Sequence, residues 1–490
     1  MRSRKNNIFA IIFLFVFVFC GCQKGPDTKI ITSKNDGIFD SNAIQSADET
    51  HSDGETQEAK FDEVFYSTDG SVEYLMNVNE VLNNSNMPVI EVKPHYLSEA
   101  DAQRVATALF GDVEFFEAYP LLDPVYSKEE IQEKLIRWTP YTNQDAVDAL
   151  YGEHKASAVD VVKSFISEYT ELYDAAPDKA QKVPCEWEFK KIPFYQMPKS
   201  EAAALDNSKE TDSIQATLKK NNLPYRYIVE TRDQADYKAN YVTAYIYDGI
   251  SPYFIDDRIF FSQLCRTDKP DETSVNNIKK QAEDMLKQME LGDWEIDECY
   301  VDTVYYGENI EYTVNLRAVP VFNGIEAIRQ PQPSELTSDN TYAANYALTD
   351  VSFCFSPNGN LLNFVMYSPV DIEKVLNENV AVIEIQELVK KAENTLSYSD
   401  YYNYDPGFLI DSAEEELRCT VNICDIEYNL NRTRVPDTEA GYYYVPCLTL
   451  LGSVEFSGKE SNTVYYSSET PITLVSINAV DGSVINATNQ

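Results

Sequence analysis

This chain of 490 residues contains three histidines, which leaves few candidates for histidine-based catalysis or metal binding. His51 lies in a polar N-terminal stretch, and His95 and His154 are far apart along the sequence. No His-Glu-x-x-His motif is present, and Cys419 and Cys424 lack a second close pair that would complete a zinc site. The sequence therefore predicts no metal centre, no cofactor and no histidine-based catalysis.

Serine nucleophiles and phosphate loops also lack their motifs. No Gly-x-Ser-x-Gly turn occurs, and segment 452–460 is one residue too long for a phosphate loop, with Glu460 where serine or threonine would bind magnesium. The densest carboxylate clusters, Asp256-Asp257 and Glu414-Glu415-Glu416, are typical of solvated faces. We therefore expect a protein that is not an enzyme. The less favoured alternative is a hydrolase with an unrecognised carboxylate site.

Cys22 carries the clearest chemical signal, and that signal is covalent modification. Charged residues precede an apolar run from Ile8 to Phe19, which is short for a membrane span, and Gly21-Cys22 follows. We predict that residues 1–22 are a lipoprotein signal and that Cys22 is acylated. Two acyl chains would then anchor the protein to the extracytoplasmic face of the cell membrane. An ordinary secretory signal or a short anchor helix is the alternative.

The acidic composition excludes one class of partner. Lysine and arginine number 40 against 80 aspartate and glutamate residues, which gives a formal net charge of −40. Such a charge repels phosphate backbones, so we expect no nucleic-acid partner and assign membrane attachment to the lipid alone. The cysteines other than Cys20 and Cys22 are odd in number and widely spaced, which indicates buried thiols rather than a disulfide framework.

The elements that would position a site change in type along the chain. Residues 23–60 are polar and almost free of aromatic residues, which predicts a disordered tether. Residues 61–265 are predicted to form an α+β domain, with its helices concentrated in about 97–175 and strands after them. Ser98 and Ser127 are each followed three residues later by an acid, which is typical of a helix start.

The last third of the chain contains a weak internal repeat. A helical pattern is followed twice by strands and a hairpin, whose turn is Asn358-Gly359 in the first copy and Asp481-Gly482 in the second. We therefore predict two tandem helix-plus-antiparallel-sheet units, 266–368 and 369–490, and an α+β fold for the whole chain. Chance similarity between two common hairpins is the alternative.

Four segments together carry a resemblance to known proteins: the strand Met87–Val92, the helical stretch Leu97–Gly111, the strand Tyr444-Val445-Pro446 and the terminal hairpin Ile477–Ile485. In these segments the chain resembles an uncharacterised lipoprotein family of anaerobic Gram-positive bacteria, over nearly all of the mature chain. The helix-plus-sheet units are also similar to PepSY-like modules of exported bacterial proteins, some of which restrain peptidases or sensor kinases. The resemblance implies an exported, anchored and non-catalytic protein, and it transfers no active residues.

Tyrosine is the residue type in unusual excess, with 34 copies that include Tyr305-Tyr306 and the run Tyr442, Tyr443 and Tyr444. Exposed tyrosine rings favour interfaces because they bury large areas with few rotors to freeze. An extended strand sends Tyr443 to the opposite face from its two neighbours, so we expect at least one of the three rings to be half exposed. We predict that Tyr442, Tyr443 and Tyr444 contribute to a partner surface. The alternative is that tyrosine serves here as a strand former.

A second expectation for the same region concerns two thiols. If 419–430 and 442–451 form a hairpin centred near Val435–Asp437, then Cys424 and Cys447 lie opposite each other on neighbouring strands. A disulfide between them is then allowed but not required.

These observations predict a membrane-anchored extracytoplasmic module that binds or regulates a cell-envelope protein or peptide without catalysis. The alternative is a glycan- or solute-binding lipoprotein that uses the tyrosine rows. Solute-binding lobes normally show alternating strands and helices, whereas this chain shows helices followed by antiparallel strands.

Overall fold

The computed structural model describes residues 56–83, 86–118, 126–151, 156–179, 182–193, 210–234, 237–247, 255–306, 309–328, 349–400, 403–404, 413, 415–434, 442–468 and 471–487. The predicted signal sequence with Cys22, the tether as far as residue 55, His51, His154 and Glu414 lie outside these residues. Within them the protein has an α+β fold built on two large sheets. No helix in these ranges is long and apolar enough to cross a membrane.

The α-helices of the described residues are α1 (Glu99–Phe110), α2 (Lys128–Trp138), α3 (Gln144–Tyr151), α4 (Ala156–Tyr173), α5 (Ile255–Cys265), α6 (Glu272–Met289) and α7 (Ile385–Leu396). The strands are β1 (Thr56–Tyr66), β2 (Val72–Asn83), β3 (Val89–Pro94), β4 (Phe116–Glu117), β5 (Lys190–Pro193), β6 (Glu210–Lys220), β7 (Leu223–Gln234), β8 (Tyr237–Ile246), β9 (Trp294–Tyr306), β10 (Asn309–Phe322), β11 (Ile325–Glu326), β12 (Asp350–Phe355), β13 (Leu361–Tyr367), β14 (Val370–Asn377), β15 (Leu417–Arg434), β16 (Tyr442–Gly458), β17 (Val464–Ser467), β18 (Ile472–Asn478) and β19 (Val484–Ala487).

The first sheet joins the two ends of the described chain. Its strand order is β1-β2-β15-β16-β18-β19, and β3, β14 and β17 attach beside this path. The second sheet has the order β11-β10-β12-β13-β8-β7-β6-β4, with β9 on β10 and β5 on β6. We call the described parts of 56–94 and 369–487 the terminal domain, and those of 95–368 the inserted domain.

This arrangement corrects the predicted linear division into 61–265, 266–368 and 369–490. Strands β1 to β3 pair within the sheet of β14 to β19, and β8 pairs with β13 across the predicted boundary at 265. A core is defined by the strands that hydrogen-bond side by side, and neighbours in a sheet need not be neighbours in sequence.

The boundary of the predicted tether is also corrected. Strand β1 begins at Thr56 and pairs with β2 over its whole length, and Ala59 is fully buried in the core under α7. Residues 56–60 therefore belong to the fold. They resemble a tether in sequence because an edge strand keeps polar residues on its solvent side.

The two predicted helix-plus-sheet units are present in the order that the repeat indicates. Helix α6 is followed by the meander β9-β10-β12-β13, and α7 is followed by the meander β15-β16-β18-β19. The closing hairpins differ from the predicted two-residue turns. Gly359 and Gly482 have φ of 77° and 74°, while Asn358 and Asp481 do not have positive φ, so the glycine alone takes the left-handed position that ends each turn.

Both sheets bury one face under helices. In the inserted domain, apolar residues of α1 and α6 pack on the second sheet, and the Tyr227 hydroxyl donates to the Ala102 carbonyl at 2.7 Å. In the terminal domain, α7 packs on the first sheet, and the Tyr74 hydroxyl donates to the Leu396 carbonyl at 2.9 Å. Helices α2, α3 and α4 form a separate apolar cluster around the fully buried Trp138.

The predicted helix starts at Ser98 and Ser127 are confirmed. Each serine side chain accepts from the backbone N–H three residues on, and the acid at that position, Asp101 or Glu130, accepts from the serine N–H in return. These reciprocal bonds satisfy donors that the first turn of a helix leaves open.

The chain crosses between the domains at two adjacent points. It leaves the terminal domain after β3 and returns just before β14, and these two strands pair with each other. The His95 N–H donates to the Pro369 carbonyl at 2.8 Å. The Asn240 side chain donates to the His95 carbonyl and accepts from the Leu97 N–H, which fastens the crossing to β8.

Candidate binding surface

The predicted tyrosine surface lies at the junction of the two domains. Tyr443 and Tyr444 are buried, with 7% and 3% of their surface exposed, and only Tyr442 is half-buried. The Tyr444 ring packs against Phe322 of the inserted domain, with 4.6 Å between ring centroids. Two of the three rings are therefore inaccessible to a partner in this structure.

Both faces of the strand are covered at this point, which explains the burial. Tyr444 faces a cluster that spans the domains and includes Phe322 and Leu430, while Tyr443 packs with Met87 and Val380 on the other side. The segment before α7 and the start of β3 cover the face of Tyr443. Alternation along a strand predicts the faces but not what lies on them.

Burial raises the pKa of every cysteine thiol in the described residues. Cys447 pairs with Asn429, and Cys424 sits at a bulge near Leu451, so the expected pairing of these two thiols is wrong. Every cysteine of the described chain is free, and burial raises the pKa of both Cys265 and Cys419 to about 12. Thiols with such pKa values stay protonated and unreactive at neutral pH.

His95 is held between two carboxylates at the domain crossing. Its Nδ1 lies 2.8 Å from Asp371 Oδ1 in the terminal domain, and its Nε2 lies 3.1 Å from Asp101 Oδ2 on α1. Burial acts to raise the pKa of Asp101, but hydrogen bonds from Ser98 and His95 outweigh it and lower the pKa. Both ring nitrogens are occupied, which makes this ring a tie between the domains. No group of three metal-ligating side chains occurs among the described residues.

The outer face of the second sheet, opposite α1 and α6, combines aromatic rings with charged groups. One row across the strands consists of Ser213, Glu230, Tyr241, Tyr367 and Asp350. The rings of Tyr241 and Tyr367 lie 6.0 Å apart, and a carboxyl group flanks each ring. Burial raises the pKa of Glu230, and it raises the pKa of Asp350 to about 6 even though Arg317 acts in the opposite direction.

A second row of the outer face leads to an edge strand. It consists of Thr217, Arg226, Tyr245, Asn363, Cys354, Asn315 and Tyr300. The Arg226 guanidinium lies 5.2 Å from the Tyr247 ring centroid and bonds the Gln215 side chain. The row ends at Tyr300 on β9, which is 42% exposed.

Strand β9 is an edge of the second sheet, because it pairs with β10 and with no other strand of the described residues. Val304 and Tyr305 are 37% and 70% exposed, and Ile310, directly opposite Tyr305 on β10, is 38% exposed. Most monomeric proteins shorten, bend or cover such an edge. A thirteen-residue edge with exposed aromatic and β-branched side chains is therefore suited to binding another chain.

No protein-family model matches this sequence, and no curated protein is similar enough to indicate a family. Among solved structures, an uncharacterised protein from Eubacterium rectale ATCC 33656 is similar over 84% of this chain and 90% of that chain. The sequence identity is 10% and the TM-score is 0.37. A likeness this distant assigns no function to the chain.

Sequence reasoning included Tyr305-Tyr306 among the tyrosine pairs but did not distinguish β9 from other strands. The stretch Glu295–Asp302 does contain a usable signal, since it has four acids and no lysine or arginine. Central strands rarely accommodate such a run of one charge, whereas an edge strand can leave it in water.

Proposed function

We propose that this protein is a membrane-anchored, non-catalytic module of the cell envelope that binds a protein partner through the inserted domain. Cys22 supplies the lipid anchor in this proposal. The partner surface consists of β9 and the adjoining end of the outer face, and we call it the β9 surface: Tyr300, Val304, Tyr305, Ile310 and the acids of β9.

One observation supports this proposal above the others. Among the described strands, β9 presents an unpaired edge together with exposed apolar side chains, whereas Tyr443 and Tyr444 are buried in the domain junction. Interfaces are enriched in tyrosine because its ring buries much area at low entropic cost. The described residues contain no group of three metal-ligating side chains, which is compatible with binding and does not by itself support it.

The test is cross-linking in intact cells with a variant that has Tyr300, Val304 and Tyr305 replaced by serine. These side chains are exposed, so we expect each replacement to change the free energy of unfolding by about 0.5 kcal/mol or less. The matched control replaces Val64 and Tyr66 by serine, since these residues are 57% and 55% exposed on β1, the edge strand of the first sheet.

We expect one envelope protein to cross-link to the parent and to the β1 control but not to the β9 variant. Equal cross-linking of the same proteins by all three chains would contradict the assignment of the surface. Melting temperatures of the purified chains would show that the comparison is made on folded proteins.

A further inference from the structure

We infer that the β9 surface takes an extended, basic segment of its partner as an added strand, parallel to β9. This inference rests on the proposed function and specifies the chemistry of the partner. The partner segment has apolar residues facing α6 and lysine or arginine residues facing outward.

The chain itself shows how such a strand is seated. Strands β9 and β15 hold the same place in the two units, each being the first strand of the meander that follows the helix. In the terminal domain the outer edge of β15 is occupied by β2, which pairs with it in parallel from Cys419↔Val72 to Ile423↔Met76. Among the described strands, nothing holds the corresponding position beside β9.

The side chains of β2 indicate the pattern that this position accepts. Val72, Tyr74 and Met76 are buried in the core under α7, and the residues between them are half-buried. On β9, Cys299 and Val301 pack partly against the core that contains α6. A strand added to β9 would therefore place alternate apolar residues beside these two, as β2 does beside β15.

The charges of β9 determine the other half of the pattern. Glu295 and Asp302 are exposed, and Glu298 has Arg317 as its ion-pair partner at 4.0 Å. A basic segment would meet the carboxylates of Glu295 and Asp302 along the edge, and the net charge of −40 would speed its approach. Two acidic β9 edges repel each other, which disfavours a second copy of this chain paired through the same edge.

The far end of β9 limits the usable length. The Asn309 side chain donates to the Ala149 carbonyl of α3, so a helix lies beside the tip of the β9–β10 hairpin. We therefore place the added strand along Glu295–Asp302, the part of β9 away from this tip, which is long enough for about eight residues.

The test uses the full mature chain and a synthetic octapeptide of alternating lysine and valine. Binding is followed by amide hydrogen exchange in β9, with β1 as the internal comparison. A glutamate–valine octapeptide tests the charge, and a lysine–valine octapeptide with alternate N-methyl amides keeps the charge but cannot form the backbone bonds. The matched variants are Glu295→Lys with Asp302→Lys on β9, and Glu58→Lys with Asp62→Lys on β1, all at exposed positions.

We expect the lysine–valine peptide to slow exchange over 295–302 and to bind the β9 charge variant at least about tenfold more weakly, because two attractive charges become repulsive. The β1 variant should bind like the parent, and N-methylation or the glutamate peptide should abolish protection. Equal protection by the N-methylated peptide, protection at β1 alone, or no protection by any peptide would overturn the inference.

Orientation has its own measurement. In a Glu295→Cys chain that also carries Cys299→Ser and Cys424→Ser, a parallel strand brings a cysteine at the peptide's N-terminus closer than one at its C-terminus. Faster disulfide trapping of the N-terminal cysteine is expected, and the reverse would contradict the comparison with β2. If peptide binding fails while the serine variant still loses its cross-linked partner in cells, the proposed function stands and the added strand does not.

Discussion

We expect Asp350→Asn to make the protein more stable at neutral pH, because Asp350 is a buried carboxyl group of the inserted domain. The residue is 6% exposed at the start of β12, opposite Tyr367. Its Oδ1 has no hydrogen-bond partner in the described part of the chain. Burial raises the pKa of this carboxyl from 3.8 to about 6, because the charged form is poorly solvated there.

The pH dependence follows from where the two states release the proton. The unfolded chain loses it near pH 3.8, whereas the folded protein keeps it until about pH 6. Between these values the unfolded state binds fewer protons, so the free energy of unfolding falls as the pH rises, and the loss is complete above pH 6. Since each tenfold change in proton affinity is worth about 1.36 kcal/mol, the upper limit is about 3 kcal/mol.

Asparagine does not titrate, so the variant should escape this loss. We expect Asp350→Asn to raise the free energy of unfolding by about 1–3 kcal/mol at pH 8 and to change it little at pH 4. The lower figure allows for the lost attraction between Asp350 and Arg317. The assay is urea unfolding followed by tryptophan fluorescence. Trp138, Trp187 and Trp294 all belong to the inserted domain, so the signal reports that domain alone.

Asp302→Asn is the control, because Asp302 is an exposed acid on the same sheet. An Asp350→Asn protein with the same pH dependence as the parent would refute the reasoning. So would a loss of stability at pH 8, since it would mean that the charged carboxylate is favourably held.

Three further outcomes are expected. Tyr444→Ala should lower the free energy of unfolding of the terminal domain by about 3 kcal/mol, because a buried ring is lost; the assay is urea unfolding followed by circular dichroism. Tyr442→Ala, at a half-buried position, should lower it clearly less, and equal losses would contradict the burial of Tyr444. Replacing 95–368 by an Asn-Gly turn should leave a terminal domain that melts cooperatively, because β3 and β14 already pair where the chain leaves this domain and returns to it. A non-cooperative melt would show that the terminal domain depends on the inserted domain for its stability. Cys22→Ala should abolish palmitate labelling and release the protein from membranes, and unchanged labelling and fractionation would contradict the lipid anchor.

The parts of the fold that follow from short-range patterns were predictable. Ser98 and Ser127 start helices because a cap and its acid lie three residues apart, a distance that the sequence displays directly. The order of helix and meander in the two units follows in the same way, from periodicity and from the glycine turns at Gly359 and Gly482.

The pairing of distant strands was not predictable by the same reasoning. Strand β2 pairs with β15 although more than 300 residues separate Val72 from Cys419. The sequence of neither strand indicates which strand it pairs with. The Cys424 to Cys447 register failed for a smaller reason. The register from Arg434↔Tyr442 onward places Asn429 opposite Cys447, and the bulge between Ile423 and Asp425 takes Cys424 out of the regular pairing.

The candidate site illustrates why exposure is the hardest property to obtain from a sequence. Tyr444 and Tyr300 both stand in strands rich in tyrosine, yet one is 3% and the other 42% exposed. The difference comes from Phe322, which reaches Tyr444 across the domain junction, whereas no described strand lies beside Tyr300 on the edge. In the sequence, the run of acids in β9 is the feature that indicates an exposed edge.

The internal repeat explains why β9 has an open edge among the described strands. Two units with the same order of helix and strands should leave the same edge open, because that edge belongs to the first strand of each meander. In the terminal domain β1 and β2 extend the sheet beyond this edge, and Val72 and Tyr74 complete the core under α7. In the inserted domain, α1 and α6 cover the core of the second sheet, and no described strand pairs with the outer edge of β9. One unit is thus extended within the chain, and the other retains an edge to which a strand from another protein can pair.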